Sequence, residues 1–226
     1  MICAPIIESD IDSMVTLANS ANSDIVELRL DYLDDKDNDF SNLNKIELIN
    51  KPKIITCMPE WEGGLFSCDE QNRIEILLEA LNFCSPSDYV SIELKTKKEF
   101  LDKIVIAAKD KKVKVIIAHH NFVETPRKEE ILKILNSEIL AGADIAKVAF
   151  MPEDYGDVLT VLSVLTDNKI NIPIIAISMG EIGKISRVAG LLMGSYLTFA
   201  SAAKGKESAK GQMGVDEVRE VLKFFI

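Results

Sequence analysis

Short apolar runs and amphipathic stretches alternate along the whole chain. The apolar runs fall at 2–7, 25–30, 53–57, 89–94, 113–119, 145–150, 172–178 and 196–200. Each is followed by a segment with helical spacing of its apolar positions, near 10–21, 43–50, 67–83, 97–109, 126–140, 152–165, 183–193 and 215–225. The last is the clearest, with Val218, Val221, Leu222 and Phe225 on one face. Thr125 and Pro126 offer an N-cap and a first helical position for the fifth. Runs that are apolar throughout, rather than alternating, predict strands covered on both faces, as in a parallel sheet. Eight such strands, each followed by a helix, predict an α/β fold: a (β/α)8 TIM barrel, with residues 1–226 as a single domain. An open doubly wound sheet is the competing architecture. The strand count and the lack of a glycine-rich nucleotide fingerprint favour the barrel. Segment 201–214, rich in Gly, Ser, Ala and Lys, follows the eighth strand, where a lid over the barrel mouth would lie.

Composition narrows the function classes. A formal net charge of −10 disfavours nucleic acid or an anionic membrane as partner. Cys3, Cys57, Cys68 and Cys84 form no CxxC pair and no zinc-spaced cluster with histidine, so reduced thiols and no metal site are expected. The first residues carry no basic region, and no apolar run reaches the ~20 residues of a membrane span. A cytoplasmic location is expected.

One charge breaks the apolar pattern. Lys147 stands in the middle of Gly142-Ala143-Asp144-Ile145-Ala146-Lys147-Val148-Ala149-Phe150. A lysine is almost never fully buried without a partner, and loss of water favours the neutral amine. A neutral amine in an apolar pocket is a nucleophile for a carbonyl carbon. The plainer alternative is a lysine that snorkels from a strand end. Barrel enzymes carry their chemistry at the C-terminal strand ends, and polar residues gather there. Glu27, Arg29 and Asp31 alternate along the second strand and share one side, either pointing at a common centre or forming an internal ion pair. Glu62-Gly63-Gly64 follows the third strand, and the glycines permit a turn that returns Glu62 over the mouth. His119 and His120, the only histidines, close the fifth strand and point to opposite sides, so at most one faces the axis. Imidazole can take and return a proton near neutrality, and the fifth strand neighbours the one that carries Lys147. Arg187 lies in the first turns of the seventh helix, as a carboxylate fork or a surface cation.

Together these residues resemble type I 3-dehydroquinate dehydratase, over nearly the whole chain. The signatures are Glu27-Leu28-Arg29-Leu30-Asp31, Glu62-Gly63-Gly64, His120-Asn121-Phe122 with Thr125-Pro126, Gly142 to Lys147, Ser186-Arg187, and Ser208-Ala209-Lys210-Gly211-Gln212. The resemblance implies dehydration of 3-dehydroquinate to 3-dehydroshikimate, the third step of aromatic amino acid biosynthesis, with no cofactor. Lys147 looks like the Schiff-base lysine, His120 like the general acid and base, and Glu62 like the carboxylate that orients it. Glu27 and Arg29 resemble the residues that hold the ring hydroxyls. Arg187 resembles the carboxylate clamp, and Ser208 and Gln212 the polar residues of the closing loop. A homodimer is compatible with the family. Three positions depart from its pattern: Met58 where many members carry a substrate-contacting arginine, Asn121 where aspartate is usual, and Lys210 where proline is frequent. The alternatives are a class I Schiff-base aldolase-type barrel, or a ligand-binding barrel without turnover.

Overall fold

The computed structural model describes residues 1–34, 40–167 and 169–225. Eight strands form one parallel sheet: β1 (Ile2–Ile6), β2 (Ile25–Arg29), β3 (Lys53–Thr56), β4 (Tyr89–Glu93), β5 (Lys114–Asn121), β6 (Ile145–Phe150), β7 (Ile174–Ser178) and β8 (Thr198–Phe199). Their order is β7-β6-β5-β4-β3-β2-β1-β8. The remaining seam, between β7 and β8, carries a backbone bond at its lower end: the Tyr196 N–H donates to the Ile174 carbonyl at 2.7 Å. The sheet is therefore a nearly closed barrel, as the apolar pattern predicts.

Helices alternate with the strands: α1 (Ile11–Ser20), α2 (Glu70–Leu81), α3 (Lys98–Asp110), α4 (Lys128–Leu140), α5 (Tyr155–Ser163), α6 (Gly180–Gly183), α7 (Ser186–Leu192) and α8 (Val215–Leu222). Local chemistry starts several of them: the carboxylates of Asp10, Asp69 and Asp154 each accept a backbone N–H of the first turn of α1, α2 and α5. Between the sheet and the helices lies most of the core, including Ile6, Met14, Leu28, Ile74, Leu77, Ile104 and Val115. Along the axis Cys3, Ile25, Ile54, Tyr89, Ile116, Ile145, Ile175 and Phe199 pack together. They plug the barrel and form the floor under the site. Among the described residues no helix is long and apolar enough to cross a membrane.

Four elements differ from the sequence expectation. The second helical segment is a 3-10 run, Phe40–Leu48. The fifth helix starts at Lys128 with Arg127 at its cap, and Thr125 does not cap it. The Thr125 hydroxyl instead donates to the Met151 carbonyl at 2.9 Å, which ties the loop after β5 to the end of β6. The seventh helix is broken into α6 and α7. Ser186 Oγ donates to the Gly183 carbonyl at 2.7 Å and accepts the Ser178 N–H at 3.0 Å, so a hydroxyl takes up the polar groups at the break. The eighth strand is only two residues long, because the chain turns into the segment that crosses the mouth.

Candidate active site

The inward positions of the strands change character with height. One step above the apolar floor they are Glu27, Thr56, Ser91, Ala118, Lys147 and Ile177; one step further they are Arg29, Met58, Glu93, His120, Ala149 and Met179. All of these except Ala118 line a cavity of about 360 Å³, together with Phe199, Arg187, Ser208 and Gln212. That volume suits a small molecule. The residues given a role in the site line this cavity except Glu62, which stands behind His120; Asp31 and His119, also singled out from the sequence, do not line it.

Lys147 is 7% exposed. Its ammonium nitrogen lies 4.4 Å from the centroid of the Phe199 ring. Among the described residues no carboxylate pairs with it within 4.0 Å. The snorkelling alternative is excluded, because the side chain faces the axis, not the bulk solvent. The neighbouring strand brings His120 to the same wall: Ala118 pairs in register with Lys147, and His120 is the next inward residue along β5.

Glu62 sits in a 3-10 turn (Glu60–Glu62) that ends at Gly63, where φ is +84°. Its Oε2 accepts the His120 backbone N–H at 2.7 Å and lies 3.0 Å from His120 Nδ1. Nδ1 therefore carries the hydrogen, and Nε2 is the basic nitrogen. Burial tends to raise the Glu62 carboxyl, but the hydrogen bonds and charge of His120 outweigh it and hold the group below the usual carboxylate value. Burial is also the largest influence on His120 and lowers it, aided by Lys147 and opposed by Glu62. Phe122 stacks on the His120 ring at 6.1 Å between centroids, with an interplanar angle of 16°. His119 turns away from the axis onto Phe150, as strand alternation requires. Its Nδ1 still comes within 3.8 Å of Glu62 Oε1.

Both readings of the Glu27, Arg29 and Asp31 series hold in part. Arg29 and Asp31 form a buried bidentate pair at 2.8 and 2.7 Å, and Asp31 raises the Arg29 guanidinium against the effect of burial. The Arg29 guanidinium also lies 5.0 Å from the Tyr32 ring centroid. Glu27 accepts the Thr56 hydroxyl at 3.0 Å. Arg187 is buried and has no carboxylate partner among the described residues. Its Nε donates to the Gly211 carbonyl and its Nη1 to the Phe199 carbonyl, both at 3.0 Å. Burial lowers it to about 10. Segment 201–214 crosses the mouth. Its shape is held by a reciprocal pair: Gln212 Oε1 accepts the Ser208 N–H at 2.8 Å, and Gln212 Nε2 donates to Ser208 Oγ at 3.0 Å. Met58 fills its part of the wall with an apolar side chain.

One charged lining residue has no counterpart in the sequence reading. Glu93, at the end of β4, is 1% exposed and paired with Arg73, which is fully buried on α2. Read along the chain, a single charge at the end of an apolar run looks like the strand terminus meeting solvent. Only the inward alternation from Tyr89 through Ser91 points it at the axis.

A parallel barrel with a polar cavity at the C-terminal ends of its strands is an enzyme of the (β/α)8 class. The family model for type I 3-dehydroquinase matches residues 2–225. The 3-dehydroquinate dehydratase of Methanococcus maripaludis is 38% identical over 228 residues, covering 99% of each chain. Among solved structures, the Clostridium difficile type I enzyme with covalently modified comenic acid is 33% identical with a TM-score of 0.85, covering 99% of this chain and 90% of that one. The Geobacillus kaustophilus enzyme is 29% identical with a TM-score of 0.88, covering 99% and 91%. The chain belongs to the type I 3-dehydroquinase family of hydro-lyases.

Proposed function

We propose that residues 1–226 form one catalytic barrel domain that dehydrates 3-dehydroquinate to 3-dehydroshikimate through a Schiff base on Lys147. The reading places the enzyme in the cytoplasm, at the third step of the route to chorismate and the aromatic amino acids, and needs no cofactor. The Lys147 amine adds to the substrate ketone, and loss of water gives an iminium. His120 Nε2 removes the proton beside the iminium carbon, and the electron pair moves into the C=N+ bond to form an enamine. The enamine expels the ring hydroxyl, which takes its proton from His120. Hydrolysis of the conjugated iminium frees the product and Lys147. Glu62 holds His120 in the required tautomer. Glu27 and Arg29 bind ring hydroxyls, Arg187 takes the substrate carboxylate, and Ser208 and Gln212 close the mouth.

The observation that carries this reading is a buried amine without a carboxylate partner, on the strand beside an imidazole whose Nδ1 is tied to Glu62. The clamp reading of Arg187 rests on its own buried, unneutralised charge, since a guanidinium without a carboxylate is costly to bury. The test is the absorbance of the conjugated enone as 3-dehydroquinate is added. The wild type gives a steady rise and Lys147→Ala none; a Lys147→Ala rate near wild type would sink the covalent route.

A further inference from the structure

We propose that Lys210 is a specificity-determining residue: carried by the segment that crosses the mouth, its ammonium is the second cation on the substrate carboxylate that Arg187 clamps. The proposal deepens the dehydratase reading above and rests on it.

Lys210 lines the cavity together with Ser208, Ala209 and Gln212 of the same segment. It is exposed, and among the described residues no carboxylate pairs with it within 4.0 Å. Two nearby lysines behave otherwise: Lys206 of the same segment pairs with Glu8 at 2.8 Å, and Lys184 beside α6 pairs with Glu181 at 3.2 Å. A free ammonium at the rim of a cavity is where an anion arriving from solvent is met.

The backbone under Lys210 is fixed from the next residue, ~3.8 Å away between Cα atoms. The Gly211 carbonyl accepts Arg187 Nε at 3.0 Å, and Gly211 packs directly on the Gly180 carbonyl. Arg187 Nη1 donates to the Phe199 carbonyl, and Nη2 makes no hydrogen bond to the protein among the described residues. A buried, fixed guanidinium and an ammonium on a flexible four-carbon stem thus enter one cavity from adjacent points. A carboxylate on Arg187 Nη2 comes within reach of that stem.

The charge of the wall points the same way. Its charged side chains are Glu27, Arg29, Glu93, Lys147, Arg187 and Lys210. Asp31 offsets Arg29, and Arg73 offsets Glu93. Lys147 must be a neutral amine to add to the ketone. Glu27 and Arg187 then cancel, and Lys210 gives the wall one positive charge in excess. A substrate with a single carboxylate restores neutrality. Without Lys210 the same substrate leaves an uncompensated anion in a site of low dielectric. An uncharged ring ketone of the same shape gains nothing from Lys210, so this residue selects for the acid.

The test is steady-state kinetics of the full chain with 3-dehydroquinate, and with its carboxamide as a competing ligand. Lys210→Met should raise KM for 3-dehydroquinate ~3- to 10-fold, with a smaller change in kcat, and leave the Ki of the carboxamide within ~2-fold. Lys210→Arg should restore KM. The rise of KM with added salt should be shallower in Lys210→Met, because one charge fewer is screened. An unchanged KM in Lys210→Met, or a carboxamide Ki that rises by the same factor, overturns the contact and leaves dehydration with the Arg187 clamp standing. A wild type that does not turn over 3-dehydroquinate overturns both.

Discussion

Glu62 Oε2 accepts two hydrogens from one residue, the backbone N–H and the ring Nδ1–H of His120, at 2.7 and 3.0 Å. The first bond fixes where the strand end sits and the second fixes the ring. A carboxylate so placed sets the tautomer and raises the basicity of the far nitrogen. Burial acts the other way and prevails, so His120 lies below the usual histidine value.

The pH profile follows from that sign. A base must be neutral to act, so kcat/KM should fall as pH drops through the His120 value, below the range of a free histidine. Glu62→Gln removes an influence that raises His120, so this limb should move further toward acid. The rate should fall ~10²-fold, because the tautomer is no longer enforced. A limb that moves toward neutrality in the variant would contradict the assigned pairing.

Arg187 is a buried cation whose neutralising anion is expected to be the ligand. Its lowering to about 10 by burial corresponds to ~3 kcal/mol against the folded, unliganded protein. Arg187→Met should raise KM ~10- to 100-fold, the worth of a charge-assisted bond. The product 3-dehydroshikimate should raise the wild-type Tm and leave that of the variant nearly unchanged, as read by calorimetry.

Glu138 on α4 is fully buried, and neither carboxyl oxygen has a hydrogen-bond partner among the described residues. Burial pushes its carboxyl well above the usual value. The folded state therefore holds this proton more tightly than the unfolded chain does. Stability from this group is present below the unfolded value near ~4.3 and is lost as pH rises above it. Glu138→Leu should remove that dependence and raise Tm at pH 8 by about 3–8 °C, with kcat unchanged. A lower Tm for the variant at pH 8 would show that the carboxyl has a partner.

Gly211 adopts φ +75°, and a Cβ there would lie 2.1 Å from the Gly180 carbonyl oxygen. Gly211→Ala should lift the closing segment off α6 and break the Arg187 Nε bond to the Gly211 carbonyl. A cost of ~1–3 kcal/mol in the closed state lowers kcat/KM ~5- to 150-fold, with the circular dichroism of the barrel intact. Unchanged kinetics would mean that the segment does not close in this shape.

The barrel was legible because its strands are continuously apolar, and the site because it breaks that rule. Lys147 is the only charge between Ile145 and Phe150, and His120 closes the strand beside it. Local spacing offers Thr125 as a cap, but its hydroxyl finds the Met151 carbonyl, a partner 26 residues away that local spacing does not reveal. The break between α6 and α7 depends in the same way on Ser186 reaching the end of β7. Glu93 is not legible in the sequence because its partner Arg73 reads as one charge among many on an amphipathic helix; only the folded chain shows that this guanidinium is fully buried.

The most direct measurement is borohydride reduction in the presence of 3-dehydroquinate, followed by peptide mass mapping. The account predicts one added substrate skeleton, carried by the peptide that contains Lys147 and by no other. An active enzyme whose Lys147 peptide keeps its unmodified mass would contradict it.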